Sequence, residues 1–481
     1  MEFATVLTQL EQFKRTGEIC GIKIFEKNVK EKDIFVCIKG ANQDGHNYAK
    51  AALKKGAVFV VAEKDLGLGE NQILVKNTKQ AYALLCAQWF KNPAKSLKLI
   101  AVTGTNGKTT VTNLIKRMLE NLTKKPVGLI GTIYNEIGSI KIPAKYTTPE
   151  PFELNSILAT MKNFGCEYVV LEASSHALEQ QRLFGMTFEV GAFTNLTQDH
   201  LDFHKTIEKY FEAKKRLFTM SEQAVVNIDD PFGEKAYTEE KLKKQKIFSV
   251  SCKKVEADIF VKDIELFETK SEFKIIFNNA SHLCCFNMPG EFSVYNAAVA
   301  WGTTVKLGFE PKQVTEALKI CKNIAGRSEI IYKDSDIVVI RDYAHSPDSL
   351  KNILKTIKAF KKGRLVLLFG CAGERDRTKR AEMGRIAAEF ADFVVLTSDN
   401  PRGEPEEQIL LDAEKGLELC NTPYRVFCDR MEAINWVLQN RKQKDIILLA
   451  GKGHENYQVL RECTVLFDEK EIVLDFFNER I

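Results

Sequence analysis

The chain has 481 residues, too many for one hydrophobic core, so about two to four domains are expected. Hydrophobic residues make up 44% and charged residues 28%, which is an ordinary composition for a soluble protein. The net charge of +5 is small for this length and gives no support to nucleic-acid binding.

The cysteines and the N-terminus indicate the compartment. Twelve cysteines are present without a CxxC pair, and the adjacent Cys284 and Cys285 make a poor metal or disulfide unit. Such usage is typical of buried thiols in a reducing environment. The N-terminus has no signal-peptide pattern, and no apolar run approaches membrane-spanning length. A cytoplasmic protein without membrane insertion or a nucleic-acid partner is expected.

The first 96 residues are expected to form a domain of their own. Strand candidates at 34–38 and 58–61 alternate with helical stretches. The region ends in the polar, proline-bearing segment Lys91–Lys95, which is typical of a linker.

A glycine loop follows. The sequence AVTGTNGKTT at 101–110 overlaps an apolar strand candidate at 99–102 and precedes apolar residues at helical spacing in 111–122. In such loops backbone N–H groups wrap phosphates, a lysine reaches the terminal phosphates and a threonine hydroxyl ligates magnesium. A plain glycine turn between two core elements is the alternative. The predicted ATP-phosphate site comprises Gly104, Thr105, Asn106, Gly107, Lys108, Thr109 and Thr110.

Short apolar runs alternate with helical pattern over the remaining chain, as in parallel sheets buried on both faces. These runs lie at 127–130, 168–171, 190–193, 224–227, 337–340, 365–369, 393–396 and 446–449. An antiparallel patch is predicted at about 256–288. The expected fold class is α/β with three domains: an α/β domain at 1–96, a P-loop domain with a mainly parallel sheet at 97–328, and a Rossmann-like domain at 329–481.

Polar side chains follow two strand candidates of the central region. Glu172 comes directly after the strand at 168–171, and the strand at 190–193 leads into a segment that contains His200. Side chains at neighbouring strand ends can complete the shell of a magnesium ion held by Thr109. Magnesium prefers oxygen, so a histidine ligand would be unusual. For a single Glu or His, a solvated or core position is the alternative.

Four successive strands of the C-terminal region end in polar, glycine-supported loops. These loops are 342–348, 370–377, 398–402 and 451–455. Arg375 and Arg402 suit a carboxylate, whereas Asp399 and Glu455 suit an amine. Helix caps are the alternative explanation for the Asp, Ser and Asn residues.

Together these motifs resemble those of the Mur ligases, the ATP-dependent amide-forming enzymes of bacterial cell-wall precursor synthesis. The resemblance covers nearly the whole chain. The family-like segments are TGTNGKT at 103–109, EASSHAL at 172–178, NLTQDHLD at 195–202, DYAH at 342–345 and GKGHE at 451–455. The tetrad DNPR at 399–402 is similar to the form found in members that add meso-diaminopimelate rather than L-lysine.

The resemblance implies addition of meso-diaminopimelate to UDP-MurNAc-L-Ala-D-Glu through an acyl phosphate, with ATP as substrate and Mg²⁺ as cofactor. L-Lysine as the amino acid stays an alternative. The implied catalytic residues are Lys108, Glu172, His200 and Lys214. Thr109 joins the last three of them as metal-binding residues. Lys214 matches a lysine that is carbamylated in the family, and its carbamylation here stays open.

The remaining roles are also implied by the resemblance. Asn296, Arg327 and Asp342 match nucleotide-contacting positions. The muramoyl-peptide would contact Thr147, Thr148, Ser174, Gln180 and Arg182, and its UDP part the loop residues Ala41, Asn42 and Gln43. Diaminopimelate would contact Arg375, Asp399, Asn400, Arg402, Gly451 and Glu455.

The N-terminal region departs from the family pattern. Phe25-Glu26-Lys27 stands where an Asp-Ser-Arg run is usual. A glutamate there would repel a diphosphate unless it points away, and Lys27 offers a compensating charge. How UDP is held therefore stays open.

Three other functions fit parts of the sequence. A folate-glutamate ligase would lack the N-terminal UDP-binding domain, and a non-catalytic relative should have lost Lys108 or Glu172. A P-loop ATPase that couples hydrolysis to conformational work would need no carboxylate acceptor. The ligase interpretation predicts small-molecule partners and a monomer.

Overall fold

The structure is a computed structural model and describes residues 2–40, 43–242 and 246–478. The chain divides into two compact units. Unit 1 comprises 1–103, 119–192 and 213–224, and unit 2 comprises 104–118, 193–212 and 225–481. The three domains drawn from the sequence stay a prediction. No described helix combines the length and apolar character that a membrane crossing needs.

Unit 1 begins with a four-stranded parallel sheet in the order β1-β2-β3-β4. Its elements are α1 (Phe3–Thr16), β1 (Gly21–Lys23), β2 (Asp33–Val36), α2 (Ala49–Lys54), β3 (Phe59–Ala62), β4 (Gln72–Leu74) and α3 (Thr78–Trp89). Leu10 of α1 and Leu85 of α3 pack with Ile34 and Val61 of the sheet in one hydrophobic core. The strands predicted at 34–38 and 58–61 correspond to β2 and β3.

The glycine-loop region contributes elements to both units. They are β5 (Lys98–Thr103), α4 (Lys108–Thr123), β6 (Gly128–Ile130), β7 (Tyr134–Ile137), β8 (Ile140–Pro143), α5 (Pro151–Asn163), β9 (Tyr168–Glu172), α6 (Ser175–Glu179), β10 (Phe188–Phe193), α7 (Leu201–His204), α8 (Ile207–Thr219) and β11 (Ser221–Asn227). In unit 1 the strand order is β10-β5-β9-β6-β7-β8. Strands β5, β9 and β6 are parallel, whereas β6, β7 and β8 pair antiparallel. The hairpin β7–β8 was not predicted, because its strands are short and β8 is exposed.

The middle of unit 2 contains the antiparallel patch predicted at about 256–288. The elements are α9 (Pro231–Leu242), β12 (Lys246–Ser251), β13 (Ile259–Leu266), β14 (Ser271–Phe277), β15 (Ala280–Phe286), α10 (Glu291–Lys306) and α11 (Pro311–Lys319). Strand β12 pairs parallel with β13, and β13, β14 and β15 pair antiparallel.

The C-terminal part of unit 2 is a six-stranded sheet in the order β16-β17-β21-β18-β19-β20, parallel except for β16. The elements of this part are β16 (Glu329–Lys333), β17 (Ile337–Asp342), α12 (Pro347–Phe360), β18 (Leu365–Phe369), α13 (Lys379–Phe390), β19 (Phe393–Thr397), α14 (Glu406–Leu417), β20 (Tyr424–Phe427), α15 (Arg430–Gln439), β21 (Asp445–Ala450), β22 (Tyr457–Val459), β23 (Thr464–Leu466) and α16 (Glu469–Asn478). Strands β22 and β23 pair antiparallel in a small sheet of their own. Separate hydrophobic clusters cover the two faces of the six-stranded sheet. Because β17, β18, β19 and β21 run parallel, their carboxyl ends meet at one edge of the sheet. The predicted α/β class is confirmed.

Candidate functional site

The glycine loop has the backbone that a phosphate cradle needs. Gly104 and Gly107 have φ angles of +148° and +86°, and α4 begins at Lys108. A Cβ atom on Gly107 would lie 2.3 Å from Oδ1 of Asn296, so only glycine fits there. The Lys108 ammonium donates to the carbonyl oxygens of Gly104 and Thr105, both at 2.9 Å. It therefore lies over the loop.

A cavity of about 330 Å³ in unit 2 borders this loop. It gathers side chains from three distant segments of the chain. The predicted nucleotide residues among its walls are Asn106, Gly107, Thr110, Asn296, Arg327 and Asp342. A glycine loop at a helix N-terminus beside a cavity of this size is typical of nucleotide-binding proteins.

Arg327 and Asp342 are held in place beside the loop. Nη2 of Arg327 donates to the Thr109 hydroxyl at 3.1 Å, and the guanidinium lies 4.7 Å from the ring centre of Tyr343. Asp342 accepts from the backbone N–H groups of Ser328 and Ala344 at 2.7 and 2.8 Å. Burial raises the pKa of Asp342, and the nearby Arg327 opposes this shift. Both side chains are therefore held by contacts at the cavity wall.

The cavity is also lined by Asp229, Tyr295 and Asp348, which sequence reasoning did not assign to the nucleotide site. Nδ2 of Asn106 donates to Oδ2 of Asp348 at 3.0 Å, and the Tyr295 hydroxyl donates to Oδ2 of Asp229 at 2.8 Å. All four residues line the cavity. The sequence places Asp348 in the loop after β17. Its hydrogen bond to Asn106 has no sequence signal, because 242 positions separate the two residues.

His200 is partly exposed and borders a charge cluster around the buried Asp199 in unit 2. Asp199 lies 3.7 Å from Nε2 of His200, 3.9 Å from Nε2 of His345 and 3.6 Å from Nζ of Lys379. Burial acts to raise the pKa of Asp199, but these three groups lower it overall. No cluster of three or more His, Cys, Asp or Glu side chains within 2–40, 43–242 and 246–478 forms a metal site by itself.

In unit 1 a hydrogen-bond network begins at Glu172, which is 1% exposed at the end of β9. Its carboxylate accepts from the backbone N–H and the hydroxyl of Thr132, both at 2.9 Å. The hydroxyls of Thr132 and Thr147 are 3.1 Å apart. The Thr148 hydroxyl donates to the Glu172 carbonyl at 2.6 Å and contacts the Ser174 hydroxyl at 3.1 Å.

Arg182 extends this network. Its Nη1 atom donates to the Thr148 carbonyl at 2.8 Å, and its Nε and Nη2 atoms donate to Oε1 of Gln180. The structure thus joins Glu172 to all five residues predicted to hold the muramoyl-peptide. Lys214, on α8, is 1% exposed and is therefore a buried lysine, unlike most lysines of soluble proteins.

The predicted uridine loop is described only in part. Ala41 and Asn42 lie outside the described residues, and Gln43 accepts at its carbonyl from the Gly40 N–H at 2.8 Å. Glu26, which replaces the usual serine, pairs at 2.6 Å with Lys55, the residue that follows α2. Lys55 therefore offsets the charge of Glu26.

The loops after β18, β19 and β21 meet in a polar cluster. Nδ2 of Asn400 donates to Oε2 of Glu455 at 2.9 Å, and Nη1 of Arg402 donates to the carbonyl of Gly373 at 2.7 Å. Gly451 has a φ of +113°, and a Cβ there would lie 3.2 Å from Oδ2 of Asp399.

Arg375 follows β18, and its Nη1 atom donates to the carbonyl of Glu374 at 3.2 Å. Burial and the nearby Asp399 raise the pKa of Glu455.

Two fully buried arginines, which the sequence did not reveal, hold these loops. Arg430 donates through Nη1 to the carbonyl of Ser398 at 3.2 Å and through Nη2 to that of Ala450 at 2.9 Å. Its Nε atom donates to Oε1 of Glu469 at 2.9 Å. Arg430 thereby ties together the residues that precede Asp399 and Gly451.

Arg380 supports the loop after β18 in the same way. Its two terminal nitrogens donate to the two carboxylate oxygens of Glu404 at 2.9 and 2.8 Å, and Nη1 also reaches Asp412 at 3.0 Å. Oε2 of Glu404 in turn accepts from the backbone N–H of Glu374 at 3.0 Å. The hydrogen bond from Arg380 lowers the pKa of Glu404 to about 2.

This shift predicts a pH-dependent contribution to stability. Because the folded pKa lies below the ordinary value of 4.5, Glu404 stabilises the fold above that value and loses its contribution as the pH falls towards about 2. Glu404→Gln lacks this contribution, so the difference in unfolding free energy between wild type and variant should shrink by about 3 kcal/mol over that range. Denaturant unfolding at several pH values measures it. The exposed Glu407→Gln is the control, and a constant difference for Glu404→Gln would contradict the prediction.

Comparison with protein families gives three matches along the chain. They are the Mur ligase family catalytic domain at 18–90, the Mur ligase middle domain at 102–304 and the Mur ligase glutamate ligase domain at 326–453. The chain belongs to the Mur ligase family.

Individual relatives are similar over nearly the whole length. UDP-N-acetylmuramoyl-L-alanyl-D-glutamate–2,6-diaminopimelate ligase of Clostridium botulinum is 42% identical, with 96% of each chain covered. The ligase of the same name from Clostridium tetani is 41% identical, with 100% of each chain covered. A solved structure of a UDP-N-acetylmuramoyl-L-alanyl-D-glutamate–2,6-diaminopimelate ligase is 32% identical, covers 96% of this chain and 95% of its own, and has a TM-score of 0.69.

Proposed function

We propose that this protein is an ADP-forming ligase that joins meso-diaminopimelate to UDP-MurNAc-L-Ala-D-Glu in peptidoglycan precursor synthesis. The names of relatives that match the full length support this assignment. The carrying observation is the polar cluster in which Asn400 and Glu455 are hydrogen-bonded beside Arg402. A cluster with both carboxylate and guanidinium groups suits an amino acid whose side chain carries an ammonium and a carboxylate.

The proposal includes an organisation and a compartment. The N-terminal domain at 1–96 would bind the UDP part, the domain at 97–328 ATP, and the domain at 329–481 the amino acid. Matches at 18–90, 102–304 and 326–453 agree with this order. The protein would act in the cytoplasm as a monomer on small molecules.

The proposed reaction forms an amide in two steps. The D-glutamyl carboxylate attacks the γ-phosphorus of ATP, which gives an acyl phosphate and ADP. The free amine of diaminopimelate then attacks the acyl carbon, and phosphate leaves from the tetrahedral intermediate. Lys108 would neutralise charge on the transferring phosphoryl group, while Asn296, Arg327 and Asp342 hold the nucleotide. The D-glutamyl carboxylate would be oriented by Thr147, Thr148, Ser174, Gln180 and Arg182. Because ATP activates this carboxylate, no enzyme nucleophile is needed.

Four residues would hold the Mg²⁺ ion: Thr109, Glu172, His200 and a carbamylated Lys214. The Thr109 hydroxyl and the Glu172 carboxylate offer buried oxygen atoms as metal ligands, and oxygen is the ligand type that magnesium prefers. A carbamate would make Lys214 a further oxygen donor. When bound, the ion would neutralise negative charge on the phosphates.

An ADP-release assay with UDP-MurNAc-L-Ala-D-Glu and a panel of amino acids tests the function. We expect ADP release to require both UDP-MurNAc-L-Ala-D-Glu and meso-diaminopimelate. L-Lysine and L-ornithine should be turned over much more slowly. Arg402 would supply the discrimination by pairing with the second carboxylate, which both competitors lack. Preference for L-lysine would contradict the assigned specificity. Release of ADP without any acceptor would instead favour a P-loop ATPase.

A further inference from the structure

Lys452 has a fully buried side chain at the centre of the polar cluster. Its Nζ atom lies 3.1 Å from Oδ1 of Asn400 and 3.5 Å from Oδ1 of Asp399. Oε2 of Glu455 is also 3.5 Å away. A buried ammonium group needs such partners, because its desolvation is otherwise very costly. Lys452 therefore contacts three of the six residues predicted to bind diaminopimelate, although no binding role fell to it from the sequence.

Lys452 determines how the Asn400 amide is turned. Oδ1 of Asn400 accepts from Lys452 and also from the backbone N–H of Val459 at 2.9 Å. Both partners are donors without any acceptor capacity, so the amide oxygen must face them. The amide nitrogen is consequently directed at Glu455, to which it donates at 2.9 Å.

Lys452 also balances the charge of the cluster. Asp399 and Glu455 are two carboxylates that share one buried cation. Burial is the main cause that raises the pKa of Glu455 and Asp399 adds to it, whereas Lys452 and Asn400 act in the opposite direction. Without Lys452 the two carboxylates would repel each other, and Glu455, whose pKa is already raised, would take up a proton more readily. The cluster would then be less suited to an ammonium group.

We propose that Lys452 is a positioning residue for the acceptor amino acid. It orients the Asn400 amide and keeps the Glu455 carboxylate charged, so that this carboxylate can receive the side-chain ammonium group of diaminopimelate. The inference rests on the proposed function, because it concerns the amino-acid site of that reaction. It predicts a defect confined to one of the three substrates.

Lys452→Gln and Lys452→Arg test the inference by steady-state kinetics with each substrate varied in turn. Glutamine keeps a donor for Asn400 but removes the charge, and arginine keeps the charge. For Lys452→Gln we expect the KM for meso-diaminopimelate to rise on the order of 30-fold, with the KM values for ATP and UDP-MurNAc-L-Ala-D-Glu within about twofold of wild type. For Lys452→Arg the same KM should rise less.

Arg364→Gln is the matched control. Arg364 pairs with the buried Asp445 at 2.6 Å at the amino ends of β18 and β21, the opposite edge of the same sheet. This control should lower thermal stability while the KM for diaminopimelate stays within about twofold of wild type. A selective KM rise in Lys452→Gln but not in Arg364→Gln would separate positioning from general damage.

Several results would overturn the inference. They are an unchanged KM for diaminopimelate in Lys452→Gln, an equal rise for all three substrates, and a KM in Lys452→Arg as high as in Lys452→Gln. If Lys452→Gln does not fold, Lys452→Arg decides, and a KM rise in it that is equal for all three substrates overturns the inference. Wild-type protein without diaminopimelate-dependent ADP release would instead refute the proposed function itself.

Discussion

Lys108→Ala is expected to reduce ADP release by at least about a thousandfold without unfolding the protein. The Lys108 ammonium already lies over the glycine loop, 2.9 Å from two of its carbonyl oxygens. In the proposed reaction it neutralises charge that develops on the transferring phosphoryl group, and alanine offers no substitute. The coupled ADP-release assay with saturating substrates measures the loss.

Lys125→Ala is the control for this prediction. Lys125 is 60% exposed and pairs with Glu167 on the surface, so its removal should leave turnover within about twofold of wild type. Thermal unfolding of both variants checks that the fold persists. Substantial turnover by a folded Lys108→Ala protein would refute the role of Lys108 in phosphoryl transfer.

Arg430→Met is expected to have the largest effect on stability. It would lower the free energy of unfolding by about 3–5 kcal/mol, because it leaves Glu469 buried without its cation and the carbonyls of Ser398 and Ala450 without their donor. Both Arg430 and Glu469 have fully buried side chains, so water cannot replace the lost contacts. Denaturant unfolding measures the change in the free energy of unfolding. The shift in the midpoint of thermal unfolding provides a second test.

Two further variants make the Arg430 prediction specific. The exposed Arg385 pairs with Glu382 and Glu389 on α13. Its replacement by methionine should lower the free energy of unfolding by no more than about 1 kcal/mol. The double variant Arg430→Met/Glu469→Leu should recover part of the loss, because it removes the uncompensated charge. A loss for Arg430→Met no larger than for Arg385→Met would argue against a stabilising role of the buried pair.

The fold was largely predictable because its strands are buried on both faces. The predicted runs at 365–369 and 446–449 became β18 and β21, within one residue at each end, since continuous apolar residues have few alternatives to a covered parallel strand. The short strands β1, β4, β20 and β22 were not predicted. Strand β20, for example, has two exposed residues among its four and therefore lacks an apolar run.

The candidate site was predictable where a motif is contiguous. Glycine spacing gave the loop at 104–110, and strand ends gave Glu172, Asp399 and Glu455, because each signal lies within a few residues. Assignment of these residues to substrates came from the resemblance and stays a prediction for the individual positions. The link between Asn106 and Asp348 and the supports Arg380 and Arg430 carry no local signal.

The sequence by itself determined the α/β class, the phosphate loop and the family, because these depend on local spacing and on apolar runs. Only the tertiary structure decided that Lys452 is buried among Asp399, Asn400 and Glu455 and that Arg430 joins the loops after β19 and β21. The physical reason is that pairing of buried charges depends on which strands are neighbours. Strand β21 lies between β17 and β18 in the sheet, an order that no local pattern in the chain encodes.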